Sequence, residues 1–387
     1  YLGLVKGRSP LLKLHEANKS NVMKPRIIAF YLPQYHPIPE NDEWWGKGFT
    51  EWTNVGKAKA LFRGHYQPRV PADLGYYDLR LPQVRERQAE LAREAGVEGF
   101  MYWHYWFGNG KRLMDGVFDE VVKSGRPDFP FCLGWANHSW YAKDWNANGS
   151  KNDKLLIEQT YPGEHDYRSH FEAILPALKD SRYIKVGDQP VFLIFDPFKL
   201  PPAFIPLWNS WAKENGFPHG LYFVANVKSY ECRDKDEVLR IGFDAVTFER
   251  LREVYTAKSK FHEILNAAFN RIVLNRPIFT KDYRKACLRL TNREVDRCDK
   301  VIPTLLPNWD HTPRSGERGL LLTDSTPARF KEHANTVLDI VKHKQNKLIF
   351  LKSWNEWGEG NYMEPDLKFG KGYICALREA LDEQPQQ

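Results

Sequence analysis

The chain has no apolar run near the roughly 20 residues a helix needs to cross a bilayer, and no low-complexity tract. Five cysteines (Cys132, Cys232, Cys287, Cys298, Cys375) are spread over 387 residues, odd in number and without a CxxC pair or metal-ligand spacing. That pattern speaks against a disulfide framework and for reduced thiols in a cytoplasmic protein. The first residues lack a secretory apolar core, Leu2–Val5 being too short to serve as one. No HExxH or comparable histidine spacing occurs, so neither a metal nor a cofactor is expected. No GxGxxG follows a strand candidate, which argues against a dinucleotide-binding sheet. The formal charge of +7 is modest and no nucleic-acid motif accompanies it, so no nucleic-acid partner is expected. The densest basic stretch, Lys281 to Arg297, reads as a solvated helical face; a site for an anionic saccharide or a membrane surface is the competing reading. The one DxD triplet, Asp234-Lys235-Asp236, has no strand ending on it and reads as solvated surface.

Aromatic residues, by contrast, are abundant at 14%, with 13 tryptophans. Many stand in polar company (Trp44, Trp45, Trp52, Trp140, Trp145) rather than in apolar runs. A buried core explains phenylalanine better than it explains tryptophan beside Asn, His and Asp, because the indole N–H needs a partner. Sugar-binding clefts use such residues, stacking a pyranose face on a ring while amides and carboxylates take its hydroxyls.

Short β-branched and aromatic runs alternate with helical patterns, the signature of repeated βα units. The strand candidates are Arg26–Leu32, Val97–Tyr105, Phe129–Ala136, Pro190–Asp196, Leu221–Val227, Ala245–Glu249, Val301–Trp309 and Lys347–Trp354. Helical segments fall at Pro82–Ala95 (stopped by Gly96), Asp115–Lys123, His165–Lys179, Pro202–Glu214, Phe261–Asn275, Pro327–Lys344 and Gly372–Leu381. Eight strands with intervening helices predict an α/β fold, a single (β/α)8 barrel over 24–383, preceded by an extension or linker over 1–23. Two connections, His36–Leu81 and Asn137–Gly163, are long and follow the C-terminal ends of strands one and three. Barrel enzymes build their sites there.

Polar and aromatic residues gather at those same strand ends. Tyr31 and Gln34 close strand one and are expected to line a sugar subsite. Trp103, His104 and Trp106 close strand two; Trp135, Asn137 and His138 close strand three. Glu249 ends strand six, Asn308 and Trp309 end strand seven, and Asn355 precedes the densest motif, Asn355-Glu356-Trp357-Gly358-Glu359-Gly360. With Trp45 from the first long connection, these are the candidate substrate-binding residues. Glu356 and Glu359 lie three apart past a buried strand, so a helical turn brings both to one cavity. An apolar, aromatic-walled site keeps one carboxyl protonated as an acid and leaves the other as a base, the division of labour that glycoside cleavage needs.

At this point the chain resembles a known family. The stretches AFYLPQYHPIPENDEWWGKGFTEWTNV (Ala29–Val55), GHYQPRVPADLGYYDLR (Gly64–Arg80), GFMYWHYWF (Gly99–Phe107) and SWNEWGEG (Ser353–Gly360) are similar to those of the WbsX family, named for polysaccharide and O-antigen biosynthesis loci. Its domains carry the name glycosyltransferase. Through the NEWxEG pattern it also resembles glycoside hydrolase family 99, endo-acting α-mannosidases and α-mannanases on (β/α)8 barrels. That resemblance implies Glu356 as base on the substrate 2-hydroxyl and Glu359 as general acid/base, with retention through a 1,2-anhydro sugar. It implies a manno- or rhamno-configured oligo- or polysaccharide substrate, because the 2-hydroxyl must lie trans to the leaving group. A glycosyltransferase of surface-polysaccharide biosynthesis and a non-catalytic carbohydrate-binding barrel remain the alternatives.

Overall fold

The computed structural model describes residues 24–142, 154–228, 235–255 and 260–384. Trp145, Cys232 and Asp234 lie outside these residues. Eight parallel strands form one sheet: β1 (Arg26–Tyr31), β2 (Gly99–Trp106), β3 (Phe131–Trp135), β4 (Gln189–Ile194), β5 (Tyr222–Lys228), β6 (Ala245–Glu249), β7 (Thr304–Leu305) and β8 (Leu348–Leu351). Their order is β6-β5-β4-β3-β2-β1-β8-β7. A parallel bridge between Val246 and Val301 joins the two ends, with Val246 N–H donating to Lys300 O and Ile302 N–H to Val246 O, both at 2.8 Å. The ring is thereby a (β/α)8 barrel.

Register decides which residues look inward, because paired residues of parallel neighbours share a face. Phe30 pairs with Met101, Trp103 with Gly134, Gly134 with Leu193, Asn226 with Thr247, and Thr304 with Phe350. All of these fill the barrel. Gly134 is required there: a Cβ would stand 2.2 Å from the Met101 sulfur and 3.3 Å from the Trp103 ring. Phe30 meets Trp103 edge-on at 5.3 Å and Phe350 at 5.2 Å, closing the middle of the barrel with aromatic contacts. At the N-terminal end, Arg26 forms a two-pronged pair with Glu98 (2.6 and 2.8 Å).

Outside run the helices α1 (Pro82–Ala95), α2 (Gly116–Ser124), α3 (Glu164–Leu178), α4 (Phe204–Glu214), α5 (Lys235–Arg240), α6 (Lys260–Ala268), α7 (Tyr283–Leu290), α8 (Pro327–Val341) and α9 (Gly372–Asp382). Proline at the first positions of α1 and α8 and the Thr326 side chain on the N–H of Arg329 fix where those helices begin. Among the described residues no helix is long and apolar enough to cross a membrane. One departs from the pattern of a barrel helix: α6 continues as a π-helical turn over Phe269–Val273 and leaves its apolar side chains in solvent.

Candidate active site

Past β8 the chain turns sharply. Asn355–Glu356 pairs antiparallel with Asn361–Tyr362, and Trp357–Glu359 form a single 3-10 turn between them. The end of β1 clamps this loop from below. The Asn355 amide accepts from Leu32 N–H (2.8 Å) and donates to Leu32 O (3.0 Å). The Tyr35 hydroxyl donates to Asn355 O (2.7 Å) and accepts from Trp357 N–H (2.9 Å), so both peptide flanks of Glu356 are held. Trp357 stacks on Tyr362 at 3.7 Å and donates its indole N–H to Glu364 (2.7 Å). Glu364 also accepts from Tyr77 and Gln88, and burial pushes its carboxyl up to about 7.

Both motif carboxylates close on one guanidinium. Arg314 donates to Glu359 Oε1 and to Glu356 Oε1, each at 2.8 Å, and pairs with Glu51 Oε2 at 3.0 Å. Glu51 is fully buried, Glu356 nearly so, while Glu359 keeps 21% of its side chain accessible at the mouth. Gly358 permits the cluster: a Cβ there would lie 2.5 Å from Glu51 Oε2 and 3.0 Å from Arg314 Nε. Three carboxylates around one cation leave an excess of negative charge in a dry place. Burial raises the Glu356 carboxyl well above the ordinary carboxylate range, Arg314 opposing and Glu359 and Glu51 reinforcing. Glu51 is raised for the same reason, against Arg314. The Arg314 guanidinium, although buried, is held charged by its three partners.

Arg314 stands on a short turn, Thr312–Ser315, that follows β7 and is anchored by Asp310. The Asp310 carboxylate accepts from Gln67 (2.7 Å) and from the backbone N–H and hydroxyl of Thr312 (3.0 and 2.6 Å), with His65 Nε2 at 2.9 Å and Arg69 at 3.7 Å. Burial alone would raise it, yet His65, Arg69 and Thr312 outweigh that and hold Asp310 down at about 2. Its backbone N–H donates to Glu359 O at 2.7 Å. Asp310 thus ties three connections together: those after β1, β7 and β8. His311 places Nε2 3.8 Å from Glu359 and pairs through Nδ1 with Ser315 (2.8 Å).

The structure sorts the residues named from sequence into three groups. Trp103, Gln34, His138, Glu249 and Trp309 lie at the inner face or rim. Trp103 meets Phe195 edge-on (5.7 Å), and His138 lies over Phe195 at 4.8 Å with its imidazole pushed by burial down to about 4. Gln34 donates to Tyr105 (2.8 Å), and Glu249 pairs with Lys352 (3.4 Å). Trp309 and these last two residues border a cavity of ≈ 20 Å³, which holds roughly one water rather than a sugar ring. A second group sits behind the strands. The Tyr31 hydroxyl donates to Gln88 of α1, His104 bonds His170 (2.8 Å), Trp106 donates to Asp166 (3.1 Å), and Trp135 is 1% exposed against Phe204. Each is a position of odd–even alternation away from Phe30, Trp103 and Gly134, so its side chain faces the helices. The third group spends its amides on backbone: Asn137 on both the N–H and C=O of Asp196, Asn308 on Tyr362 O at 3.5 Å, and Asn355 on Leu32. Trp45 packs on Phe49 in the connection after β1.

Sequence reasoning did not single out Arg314, Glu51, Tyr35 or Asp310 as site residues. Glu51 and Tyr35 stand inside the quoted stretch Ala29–Val55, and a carboxylate between Thr50 and Trp52 in a strand-end loop was the available signal. Arg314, in a loop already rich in charge, carried none.

Comparison with known proteins completes the picture. The family described as Glycosyltransferase WbsX matches residues 27–377. The chain belongs to that family. A relative from Xanthomonas campestris pv. campestris (strain ATCC 33913), described as "Uncharacterized protein WxcX", is 36% identical over 365 residues, covering 93% of this chain and 50% of the relative. Its counterpart in strain B100 is 35% identical over the same span. This WbsX-family chain therefore spans about half the length of the curated relatives it matches. Among solved structures, one described as a glycoside hydrolase-like protein superposes with a TM-score of 0.56 at 14% identity, covering 93% of this chain and 95% of the other. The family 99 endo-α-mannosidase of Bacteroides thetaiotaomicron superposes with a TM-score of 0.56 at 14% identity, covering 92% and 96%. At that identity the likeness shows the fold of the WbsX-family barrel.

Proposed function

We propose that the chain cleaves, or transfers across, glycosidic bonds of a manno- or rhamno-configured polysaccharide by a retaining mechanism in which Glu356 and Glu359 act as a pair. Support comes first from the one guanidinium that receives both carboxylates at 2.8 Å. In this reading Glu356 takes the proton of the 2-hydroxyl as that oxygen attacks C1, and Glu359 gives its proton to the departing glycosidic oxygen. The resulting 1,2-anhydro sugar is opened at C1 by water, which Glu359 deprotonates, while Glu356 returns its proton to O2. Inversion occurs twice, so configuration is retained. The raised proton affinity of buried Glu356 suits a base that must accept a proton from an alcohol. Trp103, Gln34 and His138 are then the groups that meet the sugar, and a sugar hydroxyl in place of water makes the same site a transglycosylase. The family's description as glycosyltransferases favours a second reading, transfer from a nucleotide sugar.

Release of reducing ends from manno- and rhamno-configured oligosaccharides tests the first reading. Wild type should cleave at least one, and Glu356→Gln and Glu359→Gln should each lose about 10²–10⁴-fold in kcat/KM. Failure to cleave any, with turnover of a nucleotide sugar, would establish the transferase instead.

A further inference from the structure

The segment after β6 carries an apolar face that no described residue covers. Along α6 and its π-helical turn, Phe261 (67%), Ile264 (67%), Leu265, Phe269, Ile272 (80%) and Val273 stand in solvent. Spacings of three, four and eight from Phe261 put most of them on one side of the helix. One polar residue of the same stretch points the other way: Asn270 is buried and donates to Ile278 O and Thr280 O, pinning the turn to the protein, while His262, Asn266 and Arg271 stand in solvent with the apolar side chains. The apolar side of this stretch therefore faces water. Ile278, Phe279 and, on α7, the 81% exposed Leu288 are further apolar side chains that the same segment leaves in solvent. An uncovered face of this size marks an interaction surface rather than scatter.

Charge says what kind. Residues 260–290 hold seven Lys/Arg against two Asp/Glu, a formal excess of five positive charges. Arg271, Arg284, Lys285 and Arg289 are exposed along the same segment, Arg271 paired to Glu317 and Arg284 to Glu332. A second copy packed isologously would bring the same excess against this one, which like-charge repulsion opposes. An anionic lipid surface complements it, and basic side chains flanking an exposed apolar helical row are how interfacial helices bind one. The patch also adjoins the catalytic mouth. Arg276 lies 5.1 Å over the Phe62 ring, Phe62 stacks on His65, and His65 meets Asp310. Glu317, the partner of Arg271, is three residues beyond Arg314.

We propose that α6, its π-helical turn and the exposed face of α7 dock on anionic bilayer surfaces, holding the mouth of the barrel at the level of the lipid headgroups. The rows Phe261–Ile264–Leu265 and Phe269–Ile272–Val273 enter the acyl boundary while Arg271, Arg284, Lys285 and Arg289 meet lipid phosphates. Docking needs no sugar, so it stands or falls separately from the glycosidase reading.

The test is co-sedimentation of the whole chain with vesicles of equal parts phosphatidylglycerol and phosphatidylcholine, beside vesicles of phosphatidylcholine alone. Wild type should bind the anionic vesicles, with binding weakened by raised salt. The triple variant Ile264→Ser, Phe269→Ser, Ile272→Ser and the double variant Arg284→Glu, Lys285→Glu should each bind about tenfold less or weaker still. Because these side chains are exposed, unchanged thermal melting should accompany the loss. Wild type that ignores anionic vesicles overturns the proposal. So does equal binding to neutral vesicles, or a dimer by sedimentation velocity that the triple variant dissolves in the absence of lipid binding.

Discussion

Arg314 is the residue on which the arrangement of the site turns. It is buried, yet three carboxylates keep it charged, and it is the strongest influence holding the Glu356 carboxyl down against burial. Replacing it with glutamine should therefore raise the Glu356 proton affinity further. If Glu356 must be ionised to act, kcat/KM rises with pH through its pKa, and Arg314→Gln should move that acid limb upward by about one pH unit or more. A pH–rate profile reads this directly, and an unmoved limb would assign it to another group. At the same scale, strand alternation separates Trp103 from His104 and Trp106. Neighbours in sequence, they face opposite sides of β2, one toward the barrel interior and two toward α3.

Among the elements, the loops matter more than the strands. The connections after β1, β7 and β8 meet at Asp310, which accepts from Gln67 and Thr312 and sits beside His65 and Arg69. Its carboxyl is held at about 2, below the ordinary value of 3.8. The folded form thus favours the ionised group. That stabilisation is present in full above about pH 4 and is lost as pH falls toward 2. Asp310→Asn should lower stability by about 2–4 kcal/mol at neutral pH, leaving Arg69 without its buried counter-charge. Denaturant titrations at pH 7 and at pH 2.5 check it, because the difference between variant and wild type should shrink at the lower pH. The tight Trp357–Glu359 turn belongs to this scale too. Its glycines are required by neighbours: Gly358 by Glu51 and Arg314, and Gly360 by a positive φ of 55° with Asp310 packed against it.

Across the whole molecule the barrel is a ring with one thin seam. β1 shares four register pairs with β8 and four with β2, whereas β6 meets the segment before β7 only through the Val246–Val301 bridge and its two hydrogen bonds. Opening should start there. In native-state hydrogen exchange, the amides of Val246 and Ile302 should exchange faster than those in β1 and β2, through a sub-global opening. Equal protection around the ring would show a barrel that opens only as a unit. The insertion carrying α6 and α7 lies between β6 and β7, so the exposed apolar face and the seam occupy the same sector of the fold.

The order of strands and helices was legible in the sequence because period and punctuation are local: β-branched runs of a few residues, helices begun by proline and stopped by glycine. So was the motif with both glutamates, since strand-end placement follows from the same pattern. Inside-versus-outside was not. Tyr31, His104, Trp106 and Trp135 occur at the proper ends of strands, and only register shows that their side chains turn to the helices. The helix at Phe261–Asn275 was expected as one of the barrel's set, and the pattern gave no hint that its apolar side would face water. Arg314 and Glu51 are more than 260 residues apart, and no spacing rule links them. Local chemistry determined the elements and the carboxylate pair. Closure of the ring decided which charges met them, because that contact exists only once distant loops are folded onto one another.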